Sequence, residues 1–212
     1  MDKNNDRISD LLQELDNIIK SIPPKPERTD SSGGLLITRT GNRSQSSEYS
    51  YENAMKLVRE GKYAEAIIYL EGFLEANPGH SMACNDIGVL YLNEGNKEKA
   101  LLYLEESVVI DPANMTARKN LADLYLNLGT LGEGLKIYMK IIEENPDDME
   151  ALLKLGEVCE KFGRTEGAKL FYKKALKLQP ENNLIKERLK ILSEKRELKK
   201  NRKKTKRNKK KR

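Results

Sequence analysis

The 212 residues contain no tryptophan, one histidine, two cysteines and three phenylalanines. Each scarcity removes a class of chemistry. Cys84 and Cys159 lie too far apart for a CxxC site, and two cysteines do not make a disulfide framework, so a reducing compartment suits them. With His80 alone there is no His/Cys cluster at metal-ligand spacing and no nucleophile with a histidine base beside it. His80 follows Pro78 in a predicted turn, where a solvated ring is expected. No Gly-Lys-Ser/Thr phosphate loop is present. No run of about 18 apolar residues exists to span a membrane. The opening Met1–Asp6 lacks the basic and apolar regions of a secretory signal. The expectation is a non-enzymatic protein without cofactor or metal, cytoplasmic by default and nuclear as the alternative. Hydrophobic residues make up 38%, a low share that leaves part of the chain outside a packed core.

What is abundant is charge, unevenly placed. The net value is +6, yet residues 199–212 hold eleven Lys/Arg and no acid, so the rest of the chain is −5. The basic run comprises Lys199, Lys200, Arg202, Lys203, Lys204, Lys206, Arg207, Lys209, Lys210, Lys211 and Arg212. It carries no aromatic to stack on bases and no apolar residue to enter lipid. It can neutralise phosphates without reading sequence. RNA or a ribosome is the expected partner. DNA, an anionic lipid surface, a nuclear address and a solvated tail are the alternatives.

At the other end, Ile8, Leu11, Leu12, Leu15, Ile18, Ile19 and Ile22 recur at spacings of three and four, which predicts an amphipathic helix over 7–22 ended by Pro23-Pro24. So short a helix is marginal in water and needs a surface. It has three readings: docking a partner, pairing with a second copy, or occupying the protein's own groove as a tethered inhibitor. Residues 23–46 read as a disordered linker. Leu35-Leu36-Ile37-Thr38 within it is either a strand-like docking element or a chance apolar island.

Between these flanks, Pro78, Pro112, Pro146 and Pro180 stand 34 residues apart. They mark four units: 47–80, 81–114, 115–148 and 149–182. The fifteenth residue of each is Gly61, Gly95, Gly129 or Gly163, fit for a left-handed cap closing a first helix. The eighth is small (Ala54, Gly88, Ala122, Gly156), and so is the twentieth (Ala66, Ala100, Gly134, Ala168), letting paired helices approach closely. The eleventh and twenty-fourth fill the core: Leu57, Tyr91, Tyr125 and Cys159, then Leu70, Leu104, Tyr138 and Tyr172. Proline then stops the second helix. Residues 183–198 continue as an amphipathic helix able to cover the open end, as arrays require.

This pattern resembles the tetratricopeptide repeat family over four full repeats. The resemblance implies an all-α, right-handed superhelical solenoid of four helical hairpins plus a C-terminal capping helix. The family's aromatic at position four is missing (Ser50, Cys84, Arg118, Leu152), with Tyr49 and Tyr51 flanking it in the first repeat. Gly134 stands where the family has alanine, which weakens its helix by about 1 kcal/mol and marks repeat three as the softest link.

The resemblance also implies a concave groove for a protein or peptide, lined by first-helix positions two, five, six, nine, twelve and thirteen. These are Tyr51, Glu52, Met55 and Arg59; Asn85, Asp86, Val89 and Asn93; Lys119, Asn120, Asp123 and Asn127; and Lys154, Glu157 and Lys161. Asn93 and Asn127, one repeat apart, are placed either to bond a peptide backbone or simply to be solvated. Family members that clamp chaperone carboxylates need a basic and amide set that Asp123 and Leu184 break, so that ligand is not expected. The function expected is an interaction scaffold or adaptor. The rivals are an RNA- or ribosome-associated factor led by the tail, and a self-assembling structural protein.

Overall fold

A computed structural model describes residues 12–13, 15–16, 19–20 and 49–194. The linker with its Leu35–Thr38 patch, the end of the capping helix beyond 194, the basic tail and most positions of the N-terminal helix lie outside these residues. The described chain from Tyr51 to Leu178 is a series of helical hairpins: α1 (Tyr51–Arg59) with α2 (Tyr63–Ala76), α3 (Ser81–Asn93) with α4 (Lys97–Ile110), α5 (Met115–Leu128) with α6 (Leu131–Glu144), and α7 (Met149–Lys161) with α8 (Thr165–Leu178). Helix α9 follows over 183–194, and no strand occurs among the described residues.

Local chemistry fixes where each first helix starts. Ser50 Oγ, His80 Nδ1, Asn114 Oδ1 and Asp148 Oδ1 accept the N–H three residues on, at 3.1, 3.1, 3.1 and 2.9 Å. Such caps contribute about 1 kcal/mol each. First helices end by one device. Gly61, Gly95, Gly129 and Gly163 adopt φ of 76, 78, 79 and 69°. The next N–H then reaches back to the carbonyl five residues before: Lys62 to Leu57, Asn96 to Tyr91, Thr130 to Tyr125 and Arg164 to Cys159, at 2.8–2.9 Å. This is the Schellman closure, open to glycine because it lacks Cβ. Second helices stop two residues before each repeating proline.

The first repeat departs from the rest. Helix α1 has 9 residues where α3, α5 and α7 have 13 or 14, because Ser50 caps it at position four rather than the preceding unit's last residue doing so. The two tyrosines there divide the work. Tyr49 packs edge-on to Tyr69 and lies over Gly72, whose added Cβ would fall 2.6 Å from the ring. Tyr51 joins Phe73 and His80.

The chain divides into two compact units, one of residues 23–137 and one of residues 1–22 with 138–212. In the first, the small positions eight and twenty meet as expected: a Cβ on Gly134 would sit 2.8 Å from the Ala122 carbonyl oxygen, and one on Gly88 would sit 3.2 Å from that of Ala100. Ala54, Leu70, Ile87, Leu104 and Leu121 belong to its core. In the second, Tyr138, Ile141, Leu152, Phe171, Tyr172, Ile185 and Leu192 are buried, together with Leu15 from the N-terminal segment. Position twenty-one is buried in every repeat, by Ile67, Leu101 and Leu135 and then by Lys169 at 8% exposure. A lysine is tolerated there because its four-carbon stem packs while the ammonium reaches water.

Candidate functional site

Three of the first helices, α1, α3 and α5, belong to the 23–137 unit and are stitched along one face by side chains. Tyr51 Oη donates to Asp86 Oδ2 at 2.5 Å. Asn85 Nδ2 donates to Asp86 Oδ1 at 3.2 Å. Asn120 Nδ2 donates to Asn85 Oδ1 at 2.8 Å. Both inter-helix rungs join position five of one repeat to position six of the next. Burial first, and then the Asp86 carboxylate that accepts its proton, push the Tyr51 phenol well above its ordinary range. The ladder therefore holds its proton donor neutral.

This changes the reading of three predicted site residues. Asn85 is only 5% exposed, and its amide is engaged through both Oδ1 and Nδ2. Asp86 accepts two donors. With half-buried Asn120, these side chains form a floor that orders the helices. Above it, Glu52, Arg59, Asn93 and Asn127 are exposed, while Met55, Val89, Lys119 and Asp123 are half-buried. An incoming chain would meet mixed charge, two equivalent carboxamides and a little apolar surface. In the other unit, α7 carries half-buried Lys154 and exposed Glu157 and Lys161.

A second set of contacts was not foreseen. Tyr91 and Tyr103 both donate to Glu71 Oε1, at 3.0 and 2.8 Å, and Tyr125 donates to Glu105 Oε1 at 2.6 Å. Position eleven of one repeat thus ties to position twenty-five of the one before. Lys99 Nζ donates to the Tyr91 hydroxyl at 3.2 Å and lies 4.8 Å from its ring centre, and the Tyr91 and Tyr103 rings stack at 5.8 Å. Burial raises the Tyr91 phenol, opposed by the Lys99 contact and assisted by Glu71. The signal was present as Glu71 and Glu105, each twenty residues before a tyrosine. Where Cys159 replaces the tyrosine, Met139 replaces the glutamate. In the other unit, Glu160 Oε2 accepts from Tyr172 Oη at 3.4 Å and from Arg188 Nη1 at 3.3 Å. Burial and then the Glu160 charge raise the Tyr172 phenol, with Arg188 opposing.

His80 is not the solvated turn residue expected. It is half-buried, caps α3 through Nδ1, and lies with ring centres 5.2 Å from Tyr51 and 5.1 Å from Phe73. Cys84 and Cys159 are buried thiols on first helices. Among the described residues, no helix is long and apolar enough to cross a membrane.

A family model described as tetratricopeptide repeat matches residues 51–114 and 119–183. No curated protein sequence gives a significant match. Among solved structures, a crystal structure of MamA shares 21% identity with a TM-score of 0.63, covering 71% of this chain and 83% of that one. MamA 41-end from Desulfovibrio magneticus RS-1 shares 19% with a TM-score of 0.62, covering 69% and 84%. A tetratricopeptide repeat protein from Parabacteroides merdae ATCC 43184 shares 23% with a TM-score of 0.61, covering 65% and 55%. At these identities the likeness is one of fold. The family model covers more than half of the residues, and its span is the one punctuated by the recurring prolines and left-handed glycines: the chain belongs to the tetratricopeptide repeat family.

Proposed function

We propose that this protein is a non-enzymatic interaction scaffold that grips a peptide or helix of another protein on its first-helix face. The observation carrying this reading is the ladder Tyr51–Asp86–Asn85–Asn120. It fixes three helices before any partner arrives, so little ordering cost remains at binding, and it leaves Glu52, Arg59, Asn93 and Asn127 exposed above a satisfied floor. Asn93 and Asn127 are the residues we assign to the partner's backbone. Lys154, Glu157 and Lys161 are the contacts we assign to α7. Two buried cysteine thiols suit a reducing compartment, and we place the protein in the cytoplasm.

The eleven basic residues of 199–212 favour a second role, anchoring to a polyanion such as RNA. One experiment separates the two. Full-length protein and a chain ending at Leu198 are used as baits in source lysate, each with and without nuclease. Protein partners that survive both truncation and nuclease support the scaffold. Partners lost in both, with nucleic acid recovered only by the full chain, would give the leading role to the tail.

A further inference from the structure

The N-terminal segment carries a buried leucine. Leu12, Gln13, Leu15, Asp16, Ile19 and Lys20 are helical. Leu15 is 1% exposed, Leu12 and Ile19 are half-buried, and Gln13 and Lys20 are exposed. Lys20 Nζ lies 2.6 Å from Asp16 Oδ2, one turn back. A helix cannot cover its own leucine, because side chains one turn apart shield only a flank of each other. Another element must therefore cover Leu15. The compact unit that contains residues 12–20 is the one containing 138–212, which holds α7, α8 and α9. The buried side is the Leu12–Leu15–Ile19 stripe, with spacings of three and four, which is how an amphipathic helix seats in an apolar site.

We propose that residues 12–20 are a tethered ligand occupying a helix-binding surface of the 138–212 unit, and that a partner's amphipathic helix binds by displacing it. The surface is specific for a helix with Leu or Ile at i, i+3 and i+7 and charge on its other side, because that is the shape seated there. This goes beyond the scaffold reading: it adds to the Asn93 and Asn127 face a separate surface, on the 138–212 unit, that takes a helix of stated chemistry. It also makes binding self-regulated. Tethering acts through effective concentration, here taken as on the order of 1 mM. A free helix whose Kd for the vacant surface is about 50 µM then competes at roughly a 20-fold disadvantage.

The test uses full-length protein and a fluorescein-labelled synthetic peptide of residues 1–22, followed by polarisation. Leu15→Asp in the full chain should vacate the surface and bind the probe at least 10-fold more tightly than wild type. Gln13→Asp, on the exposed side, should behave as wild type, and all three chains should give the same helical circular dichroism. Equal probe affinity of wild type and Leu15→Asp, or no probe binding to a folded Leu15→Asp chain, overturns the proposal. If Leu15→Asp does not fold, Leu12→Asp replaces it. Amide exchange of residues 12–20 in wild type gives an independent readout. Protection equal at 1 and 100 µM protein supports docking within one chain, whereas protection that rises with concentration overturns it in favour of exchange between copies. Failure here leaves nuclease-resistant capture by the Leu198-terminated chain standing, so the scaffold reading fails separately.

Discussion

Gly134→Ala sets two physical effects against each other. Helix propensity predicts that replacing a glycine inside α6 gains about 1 kcal/mol. The packing predicts a loss. The new Cβ would fall 2.8 Å from the Ala122 carbonyl oxygen and 2.9 Å from Leu126 Cγ and Cδ2. Leu126 can turn aside, but the carbonyl is part of the α5 backbone and cannot. Restoring ordinary contact requires the start of α6 to move off α5 by about half an ångström, and overpacking of this kind costs about 1–3 kcal/mol. The loss should win by about 1 kcal/mol. For an ordered region of roughly 150 residues that is a fall of about 2–4 °C in Tm. The assay is urea and thermal unfolding followed at 222 nm, with Gly79→Ala as the control, since a Cβ there meets nothing within 4 Å. Gly88→Ala should cost less than Gly134→Ala, because the backbone atom its Cβ meets, the Ala100 carbonyl oxygen, is at 3.2 rather than 2.8 Å. A Gly134→Ala chain more stable than wild type, at unchanged urea dependence, would refute the close approach.

Other consequences follow from the inter-repeat contacts and the tail. Glu71→Ala removes the acceptor shared by two buried tyrosines and should cost about 2 kcal/mol, and Glu71→Gln about half that, because its amide oxygen still accepts. Thermal melts of Glu71→Ala within 0.5 °C of wild type would deny the staple any role. The raised Tyr51 phenol stabilises the fold fully below the ordinary phenol value near 10, and that stability is lost as pH rises above it. The urea midpoint should therefore fall between pH 10 and 12, less steeply in Tyr51→Phe; identical slopes would contradict the linkage. Any RNA affinity should drop steeply with salt and vanish on truncation at Leu198, and a flat salt dependence would count against the tail as anchor.

The repeat was legible because its punctuation is steric. Glycine takes the left-handed turns at Gly61, Gly95, Gly129 and Gly163 with least strain, and proline cannot extend a helix, so both recur at the period of the fold. Positions eight and twenty were legible for the same reason: their small size answers to a close contact. Asn85, Asp86 and Asn120 were legible as lining residues but not as the floor. Their bonds run to residues one repeat and one position away, and the rungs differ chemically, Tyr–Asp in one and Asn–Asn in the next. His80 looked solvated because a residue after Pro78 in a turn usually is; the Tyr51 and Phe73 rings that enclose it come from different helices. The N-terminal stripe announced an apolar face, but the local pattern held nothing that says Leu15 is buried.

The proposed partner site is the first-helix face. Photo-cross-linking tests it most directly, with p-benzoylphenylalanine placed singly at Asn93 or Asn127 on first helices and at Ile68 or Leu102, which are exposed on second helices. Covalent adducts with the captured partner are expected from Asn93 and Asn127, and none from Ile68 or Leu102. Adducts from the second-helix positions alone would contradict it.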